Sequence, residues 1–209
     1  MSKGRYTSAL RAEQAAETRR RVLAAAAERF AEEGFARTTL AKLAETAGVS
    51  VETVQAQGPK RGLLTAAVHQ LSFGGPDEDF FSAPQARATR EAATAAEFCR
   101  HGAELVATFN AQTFRLWRAF ASAAADDPAV ERDLNELSRM IRGQSRRIVA
   151  MLAEREWLRH DVEVDELADS LWVLIGSENY DRVVTRLGWT HQSYIAWMAR
   201  SLADLLLRR

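Results

Sequence analysis

Apolar residues recur at helical spacing along most of the chain. Val22, Ala26 and Phe30 stand at i, i+4 and i+8 with Leu23 and Ala27 beside them. That spacing predicts a long amphipathic helix over about residues 11–33, closed by Gly34, with Phe35 tucked back under it. Leu40, Leu43, Ala44 and Ala47 then form one stripe at i, i+3, i+4 and i+7, a helix of about two turns. Gly48 follows where a left-handed residue stops a helix, and Ser50 is placed to cap the next one. Val49 before that cap and Val54 after it suit a hydrophobic staple, which fixes the entry angle of a short helix over residues 51–57. A fourth helix over residues 61–73 carries Leu63, Leu64, Ala67, Val68 and Leu71.

The pattern breaks over residues 73–84, where two glycines, two prolines and several acids interrupt it. Helical periodicity then resumes, predicting helices over residues 85–101, 104–125, 129–155, 165–187 and 190–207. Gly188 closes the penultimate one, Thr190 caps the last, and Trp189 and Tyr194 are spaced to staple across that cap. The fold class is therefore all-α. The expected organisation is a helix-turn-helix unit over residues 1–72, a linker over 73–84 and a second helical domain over 85–209.

Two short helices held at a fixed angle by a glycine turn can set the second of them into a DNA major groove. Composition agrees with a helical globule: of 209 residues, 47% are hydrophobic and 27% charged, with only 4 prolines. The net charge of zero hides an asymmetry. Residues 1–61 carry eleven Lys or Arg against seven Asp or Glu, so a basic end is joined to an acidic remainder. The N-terminal stretch lacks the apolar core of a signal peptide, and no apolar run approaches the ~18–20 residues that span a bilayer. With a single cysteine, Cys99, which reads as an inert small hydrophobe, the expected location is the cytoplasm.

Enzyme chemistry finds no footing. The four histidines (69, 101, 160 and 191) have no metal-ligand spacing, and neither a phosphate-cradling glycine loop nor a Gly-x-Ser-x-Gly elbow occurs. No metal and no cofactor is expected.

The residues Ala26-Ala27-Glu28-Arg29-Phe30, Gly34-Phe35, Thr38-Thr39, Leu43-Ala44, Ala47-Gly48-Val49-Ser50 and Thr53 together resemble the tetracycline-repressor (TetR-type) family of bacterial transcriptional regulators. Asp169, Trp172, Ser177-Glu178, Tyr180, Gly188-Trp189, Tyr194 and Trp197 resemble the C-terminal helix pair of one large subgroup, which builds a dimer interface in that family. The resemblance implies a homodimer that binds double-stranded operator DNA and, as a repressor, is released from it by a small-molecule effector. The chain departs from the family after Thr53. Gln55 stands where a phosphate-touching Tyr is usual, Gln57 where His is usual and Gly58 where an aromatic packs, and this stretch is one residue shorter.

For DNA contact the expected residues are Thr38, Thr39, Val51, Thr53, Gln55, Ala56, Gln57 and Lys60. Hydroxyls, amides and helix N-terminal N–H groups hold phosphates, Gln reads adenine, Val and Ala touch thymine methyls, and Lys60 supplies a point charge. Arg19, Arg20 and Arg21 either reach the backbone or form a solvated face. Glu52 suits the start of a helix but repels phosphate if turned outward. For a ligand pocket between helices the candidates are Phe98, His101, Phe109, Asn110, Phe114, Trp117 and Trp172, polar residues flanked by aromatics. For the dimer interface they are Leu171, Ile175, Glu178, Ile195, Met198, Leu202 and Leu205, with Asn179 beside Glu178 as a further hydrogen-bonding group. Two alternatives stand beside the repressor: a helical dimeric interaction module with lost or non-specific DNA binding, motivated by Gln55, Gln57 and Gly58, and a regulator that needs no ligand.

Overall fold

Helix α1 (Lys3–Arg37) begins well before residue 11, and it regains helical geometry after leaving it at Gly34 (φ 79°, ψ 167°). The computed structural model describes residues 3–73 and 83–208. Most of the expected linker therefore lies outside the described residues. Phe35 does fold back beneath the unit, its ring centroid 5.7 Å from that of the fully buried Phe30.

Three capping interactions build the next elements as the pattern predicts. The Thr39 hydroxyl accepts from Lys42 N–H at 3.3 Å to start α2 (Leu40–Ala47). Gly48 ends it in the left-handed region (φ 63°, ψ 42°). The Ser50 hydroxyl accepts from Thr53 N–H at 3.2 Å to start α3 (Val51–Ala56), and α4 (Lys60–Phe73) follows. Val54 is fully buried and Val49 packs against the same cluster, as a staple requires.

The second half departs from the expected boundaries twice. A 3₁₀ turn (Pro84–Ala86) and α5 (Arg87–Arg90) precede one unbroken helix, α6 (Ala95–Asp126), so the interruption lies before Thr94 and not at Gly102. Thr94 accepts from Glu97 N–H at 3.2 Å while the Glu97 carboxylate accepts from Ala93 N–H at 3.0 Å, a reciprocal cap that outweighs one buried glycine within the helix. After α7 (Pro128–Glu154), the helix expected over residues 165–187 is interrupted. It divides into α8 (Val164–Leu174), α9 (Ser177–Tyr180) and a π-helical segment (Asp181–Arg186). Two asparagines accept the cost of that interruption. Asn179 Nδ2 donates to the carbonyls of Val173 and Leu174 at 2.9 Å each, and Asn110 Nδ2 donates to that of Ile175 at 3.1 Å. The carbonyls left by the broken helix thus keep partners. Thr190 caps α10 (His191–Leu206), its hydroxyl accepting from Ser193 N–H at 3.0 Å. The fold is all-α, with one isolated antiparallel bridge, Leu158 to Leu207, among the described residues.

Two apolar clusters form the core, and α6 and α7 run through both. The first joins α1 to α4 with Leu116, Phe120, Ala123 and Ala124 of α6 and Val130 and Leu137 of α7. The second joins the N-terminal half of α6 and the C-terminal half of α7 to α8 and α10. The helix-turn-helix unit therefore does not close its own core. Burying a Phe or Leu side chain is worth about 1.5–3 kcal/mol, so Leu116 and Phe120 alone tie the two halves firmly.

Candidate nucleic-acid interface and internal cavity

The turn between α2 and α3 is held from behind by α1. Arg21 Nη2 donates to the carbonyls of Ala47 and Gly48, the latter at 3.1 Å, which places a cation at the C-terminal end of α2 where the helix dipole favours it. Arg21 is thus a structural clamp, which neither of its expected readings anticipated. Its signal in the sequence is weak, because nothing local links residue 21 to residues 47 and 48. Arg29 adds a second strut, its Nε donating to Thr46 Oγ1 at 2.6 Å, and Arg20 pairs with Glu17.

On α3 the exposed positions are Glu52, Gln55 and Ala56. Thr53 and Gln57 are half-buried, and Val51 is half-buried against the first cluster. The Glu52 carboxylate stays at the start of the helix. Its own backbone N–H and the Ser50 hydroxyl hold its pKa below the usual range. Gly58 has φ 130°, a conformation side chains rarely adopt, which explains why no aromatic occupies that position. In place of aromatic packing, Arg19 Nη1 reaches the Gln57 carbonyl and Oε1, both at 3.4 Å, and ties the end of α3 to α1.

Thr39 is exposed at the start of α2. Lys60 is half-buried, its Nζ 4.3 Å from the centre of the Phe35 ring and 3.4 Å from the Ala36 carbonyl. Burial lowers the pKa of its ammonium. Thr38 requires a correction. Its side chain is fully buried and its hydroxyl donates to the Gly34 carbonyl at 2.9 Å, with the Arg29 carbonyl at 3.2 Å. It closes the α1–α2 junction and has no surface to offer a phosphate.

A cavity of about 360 Å³ lies between α6, α7 and α8. Of the expected pocket residues, Phe98, Phe109, Asn110, Trp117 and Trp172 line it. His101 and Phe114 do not. His101 sits half-exposed beside Glu104, Nδ1 to Oε2 3.5 Å, and Phe114 is buried against Tyr180 with ring centroids 5.5 Å apart. Helix rotation separates them from the wall, since neither falls on the stripe of α6 that Phe98, Asn110 and Trp117 share. The sequence reading missed the wall contributed by α7: Ile141, Gln144, Ser145 and Ile148. Gln144 and Ser145 are buried and fall in register with Leu137, Ile141 and Ile148, so polar residues on an apolar stripe were the available signal.

Several expected dimer residues are also corrected. Leu171, Met198 and Leu202 are buried inside this chain, at 2%, 0% and 3% exposure, because α8 packs onto α7 and α10 onto α6 and α8. Ile195 and Leu205 are half-buried in the same cluster. Ile175 and Glu178 line the cavity. Among the described residues, the large apolar side chains exposed in this region are Val164, Val173, Leu187 and Trp189. Trp189 at 40% exposure is not covered by a staple.

Residues 22–55, from the apolar stripe of α1 to Gln55 on α3, match the family model for bacterial regulatory proteins of the tetR family. Over those residues the chain is similar to the helix-turn-helix segment of that family. Solved structures share the whole fold. One is NalD from Pseudomonas aeruginosa, the secondary repressor of the MexAB-OprM multidrug efflux pump: 19% identity over 91% of this chain and 97% of that one, TM-score 0.63. A transcriptional regulator from Saccharomonospora viridis in complex with choline has 19% identity over 93% of this chain and 100% of that one, TM-score 0.69. A TetR-family regulator from Rhodococcus sp. has 15% identity over 92% and 100%, TM-score 0.73. Curated proteins provide no match. Among the described residues no helix is long and apolar enough to cross a membrane.

Proposed function

We propose that this chain is a regulator of the TetR type, a homodimeric repressor released from its operator by a small molecule that occupies the cavity. The observation that carries the reading is a pair of shared side chains. Trp117 on α6 and Ile141 on α7 line the cavity and also pack against the cluster that includes α1 to α4. A ligand that moves them moves the seat of the helix-turn-helix unit. In a dimer the two copies of α3 must lie about one helical turn, ~34–36 Å, apart to enter adjacent major grooves, so a small reorientation suffices to lower affinity. The ligand needs only to favour the mis-spaced state by a few kcal/mol.

Thr39, Val51, Thr53, Gln55, Ala56, Gln57 and Lys60 are the groups proposed to meet DNA, with Gln55 and Ala56 towards the bases and Thr39 and Lys60 towards phosphate. The dimer contact is assigned to the region that exposes Val164, Val173, Leu187 and Trp189, which leaves an apolar surface to cover. The unit over residues 1–72 and the domain over 85–209 act as reader and sensor. A cavity of drug-ligand size supports an effector over the alternative of a regulator that needs none. NalD as a repressor and the S. viridis regulator with its bound choline, both of similar fold, support the same direction.

The test is a displacement screen. Purified protein is bound to a fluorescent duplex obtained by selection from random sequence, and small molecules are scored for loss of anisotropy. A compound that releases the wild type, and releases Trp117→Ala less effectively at equal occupancy, supports the reading. If every compound that binds the cavity leaves DNA affinity unchanged, the cavity does not regulate this protein.

A further inference from the structure

The cavity wall points to the chemistry of its occupant. This inference rests on the reading of the cavity as the effector site and narrows it. Asn110 lines the cavity and is 1% exposed. Its amide orientation follows from its neighbours. The Ile175 carbonyl can only accept, so the amide nitrogen faces it at 3.1 Å, with the Tyr194 hydroxyl 3.2 Å from the same nitrogen. That leaves Asn110 Oδ1 buried with no hydrogen-bond partner among the described residues. A buried acceptor without a donor is an unmet demand that a bound molecule relieves.

The rest of the lining is apolar or neutral. Gln144, Ser145 and Ser177 are buried polar residues of the wall, and none carries a charge. The Ser145 hydroxyl already donates to the Ile141 carbonyl at 3.4 Å. The charged lining residues, Glu178 and Arg182, are of opposite sign and both exposed. A charged ligand group buried beside Asn110 would therefore lack a counter-ion and carry its desolvation cost unrelieved. We infer that the cavity takes an uncharged, mainly apolar molecule bearing one hydroxyl or N–H donor, held by Asn110 Oδ1.

The experiment uses the full-length wild type, because removing Asn110 would also strip the Ile175 carbonyl of its partner. Four matched probes are titrated by intrinsic tryptophan fluorescence and by calorimetry: 1-decanol, its isomer methyl nonyl ether, decanoate and decyltrimethylammonium. Trp117 and Trp172 in the wall report occupancy, and a Trp117→Phe/Trp172→Phe variant must lose the optical change while keeping the calorimetric one. The expected result is that the alcohol binds about three- to tenfold tighter than the ether, the gain of one neutral hydrogen bond, and that both outbind the two ions. Equal affinity of alcohol and ether overturns the donor requirement and leaves the effector reading standing. Tighter binding of either ion overturns the neutral class. Binding of none, or an optical change that survives the double variant, removes the cavity as a site and the effector reading with it.

Discussion

The Thr38 hydroxyl and the Lys60 ammonium lie at the same junction and do opposite work. Thr38 donates into the α1–α2 corner from a fully buried position. Thr38→Val keeps the shape and removes the donor, and is expected to lower unfolding stability by about 1–2 kcal/mol in urea titration while leaving DNA affinity of the folded protein unchanged. Lys60 is partly exposed over Phe35 and close to the Ala36 carbonyl. Lys60→Ala is expected to weaken binding to all duplexes alike and to reduce the slope of log affinity against log salt by about one, whereas Gln55→Ala relaxes preference at one base position. A pair of adjacent threonines gives no indication of which one faces inward. Thr39 as N-cap and Thr38 as buried strut separate only when α1 is placed against α2, a long-range contact that periodicity does not carry.

At the scale of elements, caps were legible and struts were not. Ser50, Gly48, Thr190 and the end of α4 follow from local chemistry, so the helix-turn-helix could be read directly. Arg21 behind the turn and Asn179 beyond α8 act across distance or replace a hydrogen-bond ladder, which a 3.6-residue period cannot register. Gly48 joins both kinds. It is left-handed, and a Cβ there would meet Arg21 Nη2 at 2.9 Å. Gly48→Ala is expected to cost about 1–2 kcal/mol in thermal or urea unfolding, with the α2–α3 angle and DNA affinity disturbed together. Between α7 and α8, Arg142 hydrogen-bonds Asp169 and holds its carboxyl below the ordinary value of 3.8. With the folded pKa lowered, the contribution of this pair is complete above that value and is lost as pH falls below it. Asp169→Asn is therefore expected to flatten the loss of thermal stability on acidification in that range, as followed by circular dichroism, and to leave its other pH dependence intact.

For the whole molecule, the notable arrangement is that α6 and α7 belong to two cores at once. The sequence pattern divides the chain near residues 73–84, and the composition break there is real, but the first cluster is completed by Leu116, Phe120 and Leu137 from the far side of it. Trp117 and Ile141 extend that sharing to the cavity. Coupling between a ligand and DNA is thus expected to pass through residues that meet the ligand but not the DNA, and Ile141→Ala is expected to shrink the ligand-induced change in DNA affinity by about 0.5–2 kcal/mol while sparing DNA affinity without ligand. The apolar stripe of the last helices resembles a dimer face in the sequence because large apolar groups at helical spacing look alike whether they meet a neighbouring helix or a second chain. Only burial of Leu171, Met198 and Leu202 within this chain separates the two. Regulation by this protein depends first on sequence-specific DNA binding by α3. Its most direct test is an anisotropy titration of the full-length protein onto the duplex upstream of its own gene and onto a scrambled duplex, across a salt series. Binding is expected to be at least about a thousandfold tighter to the first duplex, with that ratio retained as salt rises. Equal affinity for both, fading together with salt, would leave only the generic attraction to phosphate and contradict it.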